Sequence, residues 1–253
     1  MKKVILLCGM LLAVASVASA APGTNLRWTG CFGDGGAINR VFTCTSNTLP
    51  GGSSLVGSFE VGAAILQTSG QEVVIDIAAA AATLPAWWQF KNVGTCRQLS
   101  LGINFTPPST ALLCTDWSGG QASGGIGAYN IGARGPNTAR IVAAIAVAGA
   151  ALADLAVGQE YFSNNVTINN AKTVGTGACA GCLTPVCIVF NSIKITTQVA
   201  ANDRVITGPT NGTDSNYAMW QGGAGVTVGA STGCPQATPT RSTTWSSVKS
   251  LYR

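Results

Sequence analysis

Residues 186–199 read VCIVFNSIKITTQV, a stretch dense in β-branched and apolar side chains that predicts one long strand. Shorter stretches of the same kind, bounded by Gly, Pro, Asn and Ser, recur on both sides of it. The predicted strands are 25–29, 40–44, 55–66, 72–77, 99–105, 111–114, 140–148, 160–169, 186–199 and 217–220. About ten strands without regular helix alternation favour an all-β fold, a sandwich or a barrel, over a doubly wound α/β fold.

The segments between these strands predict turns and loops. Residues 68–71 read TSGQ and predict a hairpin turn. Six glycines in residues 119–132 predict a long surface loop, because glycine loses much backbone entropy in regular structure. Residues 172–184 predict a second loop, which cross-links would order. The Ala-rich stretch 141–153 predicts a core strand over 140–148 and a turn or short helix near 149–155, with a buried helix as the alternative.

The first twenty residues have the three parts of a secretory signal peptide. Lys2 and Lys3 precede an apolar run over 4–17, and the small residues ASA follow at 18–20. The run is shorter than the ~20 residues that span a bilayer, which argues against a retained anchor. We expect cleavage before Ala21, a secreted or cell-surface protein, and no transmembrane span after cleavage.

The charge of the chain is low and evenly scattered. Removal of Lys2 and Lys3 lowers the net charge from +5 to +3, and only 9% of residues are charged. Nucleic-acid-binding proteins usually carry a cluster of basic residues with interleaved aromatics, and this sequence has none. A surface of Thr, Ser, Asn and Gly suits strands and turns. We therefore expect no nucleic-acid partner.

The cysteines predict a disulfide framework. Outside the signal peptide there are eight: Cys31, Cys44, Cys96, Cys114, Cys179, Cys182, Cys187 and Cys234. An even count in an exported chain favours disulfides, although four thiolates at 179, 182, 187 and 234 are also a set that zinc accepts. Sequence proximity predicts that Cys31 pairs with Cys44 and Cys96 with Cys114. The remaining four are then expected to pair among themselves, with Cys234 joined to the 179–187 segment.

Several kinds of catalytic chemistry are missing from the sequence. The chain has no histidine, which excludes Ser-His-Asp and Cys-His hydrolases and every His-ligated metal site. Among nine acidic residues, Asp116 beside Trp117 is the candidate glycosidase acid, and a turn residue is the commoner role. The segments 33–36 and 211–216 carry oxygen ligands that suit either calcium or a turn. No enzyme activity, cofactor or metal is predicted.

The tryptophans give one hint of a ligand. Trp87 and Trp88 are adjacent, so on a strand one would enter the core and the other would face outward. An outward indole, joined by Trp117 or Trp28, can stack on a sugar ring. This interpretation makes Trp87, Trp88 and Trp117 candidate ligand-binding residues of a carbohydrate-binding or carbohydrate-active protein. The alternative is that both adjacent indoles cover one end of the sandwich.

The C-terminal residues differ in character from the rest of the chain. After a predicted domain over 21–234, residues 235–244 form a Pro/Thr linker and 245–253 a short amphipathic helix. The ending TWSSVKSLYR over 244–253 resembles a tail found on other exported bacterial proteins. We expect this tail to be a docking or sorting element. Its predicted docking residues are Trp245, Val248, Leu251 and Tyr252.

The middle of the chain resembles cohesin-like β-sandwich domains. Three segments show this resemblance: LAVGQEYF at 155–162, VTI at 166–168 and VCIVF at 186–190. In the first, a hydrophobic-x-x-Gly turn leads into an aromatic-rich strand. The resemblance implies an antiparallel β-sandwich of jelly-roll or cohesin-like type that binds a partner protein through an exposed strand face. The sequence therefore predicts a non-enzymatic extracellular structural, adhesive or protein-binding module. Its expected partner is another extracellular or cell-surface protein, with a polysaccharide as the alternative.

Overall fold

The computed structural model describes residues 22–49, 52–228 and 232–234. The predicted signal peptide, the linker and the tail with Trp245, Val248, Leu251 and Tyr252 lie outside these residues. Within them the fold is all-β, as predicted, and no helix is long and apolar enough to cross a membrane. Three short 3-10 turns occur, at Ala86–Trp88, Gly149–Ala151 and Ala200–Asn202. The strands are β1 Gly23–Trp28, β2 Asn39–Arg40, β3 Ser53–Glu60, β4 Ile65–Ala79, β5 Leu101–Asn104, β6 Thr115–Asp116, β7 Ser123–Ile131, β8 Thr138–Ala146, β9 Ala153–Leu155, β10 Tyr161–Ile168, β11 Val186–Thr197, β12 Arg204–Thr207, β13 Tyr217–Trp220, β14 Thr227–Val228 and β15 Thr232–Gly233.

Two sheets enclose one shared hydrophobic core. The five-stranded sheet has the order β1-β3-β10-β5, with β6 beside β10. The eight-stranded sheet has the order β2-β13-β11-β4-β8-β7, with β12 beside β11 and β9 beside β4. Neighbouring strands are antiparallel except β6 with β10 and β2 with β13. Alternate residues of the central strand β4, such as Val73, Ile75 and Ile77, point into the core, where they meet Leu55 and Phe59 of β3.

The predicted hairpin at 68–71 is wrong. Strand β4 continues through these residues and pairs with both β8 and β11. Gly70 serves close packing here, because a Cβ atom at this position would lie 2.5 Å from the carbonyl oxygen of Ile145. The reversal between β3 and β4 occurs at 61–64 instead. Pairing on both edges of β4 outweighs the local preference of TSGQ for a turn.

The predicted loop at 119–132 is also wrong, since most of it forms strand β7. One neighbour, β8, supplies a ladder of main-chain hydrogen bonds that offsets the entropy of the glycines.

Two further predictions meet different outcomes. The strand at 140–148 with a following short turn is confirmed by β8 and Gly149–Ala151, whereas 111–114 forms no strand and 40–44 enters one only at its first residue.

Four disulfides cross-link the fold. They confirm the predicted disulfide framework rather than the alternative, a zinc site. They join Cys31 to Cys114, Cys44 to Cys182, Cys96 to Cys179 and Cys187 to Cys234. The predicted pairs Cys31–Cys44 and Cys96–Cys114 are wrong, because the fold brings together loop cysteines 83 to 138 residues apart. The link from Cys234 to the 179–187 segment is confirmed by its bond to Cys187, but the last four cysteines do not pair only among themselves, because Cys179 and Cys182 bond to Cys96 and Cys44. Residues 172–184, predicted as a cross-linked loop, contain no strand and are held by two of these bonds.

Candidate functional site

Trp87 and Trp88 form the centre of a buried aromatic cluster. Both side chains are 0% exposed, so the structure has no outward indole at this position. The reason is local: the two residues lie in the 3-10 turn Ala86–Trp88, which lacks the in–out alternation of a strand. Their rings pack against Trp220 and Phe90 at centroid distances of 5.1–6.2 Å. The pair covers one end of the core.

Arg97 is the charged residue of this cluster. Its guanidinium lies 3.5 Å from the centroid of the Trp87 ring and donates hydrogen bonds to the main-chain oxygens of Trp87, Ala171 and Asn169. Burial lowers the pKa of Arg97 to about 9. The side chain therefore holds the loop that follows β10 against the aromatic cluster. It has a structural role that the sequence did not reveal.

The third candidate tryptophan, Trp117, and its neighbour Asp116 also serve the fold. Trp117 is 6% exposed, and its indole N–H donates to Gln71 Oε1 at 3.2 Å inside the core. Asp116 Oδ1 accepts from the amide and hydroxyl of Ser118, and Oδ2 accepts from the Gly120 amide. Both carboxylate oxygens are engaged by the next turn. Asp116 thus acts as a turn residue, as one of its two interpretations predicted.

The two candidate calcium segments are turns closed by their own side chains. Asp34 accepts from the amides of Cys31 and Leu113 at 2.9 Å. Asn211 Oδ1 accepts from the amides of Thr213, Asp214 and Ser215 at 3.0–3.1 Å. These oxygens are engaged by main-chain donors, in the same segment for Asn211 and in the adjacent and a distant segment for Asp34. Within the described ranges no group of three or more Asp, Glu, Cys or His residues is arranged to hold a metal ion.

Two shallow grooves flank the cross-linked loop of residues 172–184. One lies beside Arg97 and the other beside Cys44. Neither groove is lined by an acidic residue. Without a carboxylate, the grooves offer no acid–base pair. The lining residues are Thr95–Ser100, Asn169, Ala171 and Lys172 in the first, and Cys44, Thr173 and Ala178–Thr184 in the second.

A pair of glutamates on the outer face of the five-stranded sheet was missed by sequence reasoning. Glu60 ends β3 and Glu160 immediately precedes β10, and Tyr161 pairs with Phe59 across these strands. The same register places the two glutamates opposite each other. Burial, together with the neighbouring charge of Glu160, raises the pKa of Glu60. No signal in the sequence joins two residues a hundred positions apart, because only strand pairing makes them neighbours.

Strand β7 is an edge of the eight-stranded sheet and forms the main candidate interaction surface. It pairs with β8 along one side. On its other side, the main chain of Ser123–Ile131 forms no hydrogen bond with any residue of the described ranges. Gly132 N donates to Thr138 O, and hydrogen-bonded pairs alternate along an antiparallel ladder, so the main-chain groups of Tyr129 and Ile131 point away from β8. We call this free side the β7 edge.

The β7 edge differs from the other edges of the same sheet. It is nine residues long and has no charged residue and no proline. In contrast, β2 has two residues and contains Arg40, whereas β12 has four and begins with Arg204. Short strands and charges are the usual means by which proteins block edge pairing. Strand β7 has one feature that hinders edge pairing, a bulge between Ile126 and Ala128.

The outer face next to the β7 edge carries small side chains. Gly125 pairs with Ala144, and Ala128 pairs with Val142. A Cβ atom at Gly125 would have no other atom within 4 Å, so the face is open there. No part of the described chain covers it. The exposed small side chains leave room for contact with another sheet or strand.

A scan against protein-family models, a search of curated proteins and a search of solved structures each found no match to this chain. The resemblance to cohesin-like sandwiches therefore stays a proposal.

Proposed function

We propose that this protein is an exported, non-enzymatic structural or adhesive module that associates through the β7 edge with a second copy of itself. The observation that carries the proposal is a nine-residue edge strand without charge whose outer main-chain groups lack partners among the described residues. Exposed donors and acceptors in a row are a template for another strand. Strand addition extends the eight-stranded sheet into a neighbouring molecule.

A second copy is the partner that best fits the edge. Two copies of one antiparallel edge pair about a two-fold axis, so each strand is complementary to the other. Residues 119–133 contain no charged side chain, and pairing therefore meets no like-charge repulsion. Because Gly125, Ala128 and Ala144 are small, no bulky side chain on this face hinders the approach of the second copy.

Export and the type of sandwich belong to the same proposal. Four disulfides between distant segments are typical of proteins that fold in an oxidising compartment. The hydrophobic-x-x-Gly turn of the cohesin-like resemblance has a structural counterpart, since Gly158 has φ +77° and precedes β10. We extend the proposal to a sandwich of jelly-roll or cohesin-like type, with the predicted tail as a docking or sorting element.

Self-association of the exported chain tests the function. Analytical ultracentrifugation of the mature protein is expected to show a reversible dimer at micromolar concentrations. Gly125→Lys adds a lysine to the free edge of each copy, and we expect a dimer dissociation constant at least ~10-fold higher because edge lysines oppose strand pairing. Thr207→Lys on β12 adds the same charge at another edge and is expected to leave the dimer unchanged.

Two results would overturn this function. A wild-type protein that stays monomeric at high micromolar concentration has no self-pairing edge. A dimer that Gly125→Lys and Thr207→Lys weaken equally uses a different surface. In the dimer, the amides of Tyr129 and Ile131 should also exchange with deuterium more slowly than in the monomer.

Carbohydrate binding through Trp87, Trp88 and Trp117 is the competing function. No observation among the described residues favours it, because all three indoles are buried. A glycan array with the folded protein distinguishes the two functions. Specific binding to a polysaccharide without dimerisation would favour carbohydrate binding over the structural module proposed above.

A further inference from the structure

One end of the fold is built from two loops that a disulfide joins. Residues 91–99 precede β5, and residues 172–184 lie between β10 and β11. The bond Cys96–Cys179 links the two loops, and Lys172 Nζ donates to the Cys96 carbonyl oxygen at 2.8 Å. A second disulfide ties the later loop to the segment after β2. We call the surface formed by these two loops the basic end.

Three large aliphatic side chains of the basic end are exposed to solvent. Val93 is 90% exposed, Leu99 85% and Leu183 65%. Leu99 and Lys172 line one of the two grooves described above, and Leu183 lines the other, which begins at the next residue, Thr173. Single exposed apolar residues are common on soluble proteins, but a group of them on neighbouring loops indicates a contact surface.

The charged residues of the basic end are all positive. Lys91 and Lys172 are exposed, and no ion pair among the described residues involves either of them. Residues 77–115 and 161–202, which include both loops, contain no aspartate and no glutamate. No carboxylate of these segments therefore offsets the two ammonium charges.

The local fold does not explain why these two positions carry lysine. Lys91 has φ +65° and Lys172 has φ +58°, a left-handed conformation in which glycine is the favoured residue. Both turns would form more easily with glycine. An ammonium group has three N–H donors, and Lys172 uses one of them for the Cys96 carbonyl oxygen. The others can reach an acceptor outside the chain.

A second group of exposed aliphatic side chains has a different setting. Leu66, Val199 and Val205 lie around the far end of β11, away from the basic end. There Lys194 and Asp203 form an ion pair at 3.1 Å, so a carboxylate is present. Exposed aliphatic side chains together with lysines in segments free of acidic residues distinguish the basic end.

We propose that the basic end binds the surface of an anionic phospholipid membrane. Val93, Leu99 and Leu183 enter the interfacial layer, and the ammonium groups of Lys91 and Lys172 lie at the level of the lipid phosphates. Burial of aliphatic area and attraction to anionic lipids contribute together. Because disulfides hold the loops, binding orders few groups that were free before. This contact is additional to the β7 edge and does not depend on it.

Vesicle sedimentation tests the membrane contact. The mature chain is mixed at low salt with vesicles of phosphatidylcholine that contain about 30% phosphatidylglycerol, and with vesicles of phosphatidylcholine alone. Each lysine near an anionic surface raises the affinity about fivefold, so we expect a partition coefficient at least ~10-fold higher on the anionic vesicles. About 0.5 M NaCl should remove most of this difference, because salt screens exposed charges. Equal binding to both compositions, or no binding to either, would overturn the proposal.

The contribution of charge is tested at the two lysines. Lys91→Gly/Lys172→Gly removes two positive charges and places glycine where φ is positive, so we expect this variant to fold like wild type. Its affinity for anionic vesicles should fall at least ~10-fold. The control Lys194→Gln/Arg204→Gln removes the same charge away from the basic end and should bind like wild type. Equal weakening by both double variants would assign binding to overall charge and refute a role of the basic end.

The apolar contribution is tested at exposed positions, where substitution has little effect on folding. Val93→Ser/Leu99→Ser should lower the affinity for anionic vesicles at least ~5-fold, because two aliphatic side chains no longer leave water on binding. Leu66→Ser/Val205→Ser changes two aliphatic residues around the far end of β11 and should leave the affinity unchanged. Wild-type affinity in Val93→Ser/Leu99→Ser would show that these loops do not enter the membrane and would contradict the proposal.

Two further results separate the membrane from other partners and from the β7 edge. Retention on immobilised heparin without binding to anionic vesicles would replace the membrane by a polyanion. A monomeric protein that binds anionic vesicles overturns self-association alone. A dimer that does not bind them overturns the membrane contact alone.

Discussion

The two halves of the eight-stranded sheet share one core but differ on their outer faces. The half formed by β13 and β11 is covered: Ala78, Cys187, Val189 and Tyr217 form a second apolar cluster under Cys234. The half formed by β8 and β7 is bare, with Ala144 and Ala146 exposed. A covalent bond explains the difference, because Cys187–Cys234 holds the chain after β13 against one half only.

The comparison shows how a strand's sequence reflects burial on one face or on both. The first five residues of β11, VCIVF, are all buried, as expected for a segment covered on both sides. Strand β8 alternates over most of its length, and its outward positions after Arg140 are Val142, Ala144 and Ala146. A bare face made of small side chains exposes little apolar area at each position. It remains available for contact with another molecule.

The largest expected effect concerns the aromatic cluster beside β13. Arg97→Met keeps the length of the side chain but removes the donors to three main-chain oxygens, and we expect a loss of about 3–5 kcal/mol in the free energy of unfolding. Chemical denaturation measures it. The control is Arg204→Met on β12, where an exposed side chain should change stability by less than about 0.5 kcal/mol. Equal effects would contradict the structural role of Arg97.

The next prediction concerns removal of the disulfide that holds the cover over the β13–β11 half. The double variant Cys187→Ser/Cys234→Ser should lose about 2–4 kcal/mol of stability, because the loop it frees gains entropy in the unfolded chain. It should also bind an apolar dye, since Val189 and Tyr217 lose their cover. Ala144→Ser in the bare half is the matched control and should do neither. A double variant that keeps its stability and binds no dye would show that the cover does not depend on this bond.

The smallest effects distinguish two adjacent glycines in the bare half. Gly125→Ala meets no atom within 4 Å and should stabilise the protein by about 0.4–1 kcal/mol, because it restricts the unfolded chain. Gly124→Ala places a Cβ atom 2.1 Å from the Ala144 carbonyl oxygen and should destabilise by about 1–3 kcal/mol. Thermal unfolding of both variants measures the difference. The same sign of change in both would mean that β7 does not lie on β8 in this register.

Part of the candidate site was predictable and part was not. The pattern of 217–220 and 186–199 predicted all of β13 and β11, because β-branched and aromatic residues dominate them. The glycines of 119–132 predicted a loop, yet β7 is the strand on which the proposed function rests. The glycine content indicates the entropic cost of ordering a segment. It does not indicate whether an adjacent strand supplies hydrogen bonds that offset this cost. The edge therefore became visible only once β8 was in place.

The sequence by itself determined the all-β class and a framework of eight cysteines, because these follow from local side-chain preference and from composition. It also predicts an export signal. The tertiary structure decided which cysteines pair, that Trp87 and Trp88 are buried, which strand edge is free and that Glu60 meets Glu160. Each of these is a contact between segments distant in the chain. Such contacts depend on strand order and register, which are set by the packing of the whole core rather than by any one segment.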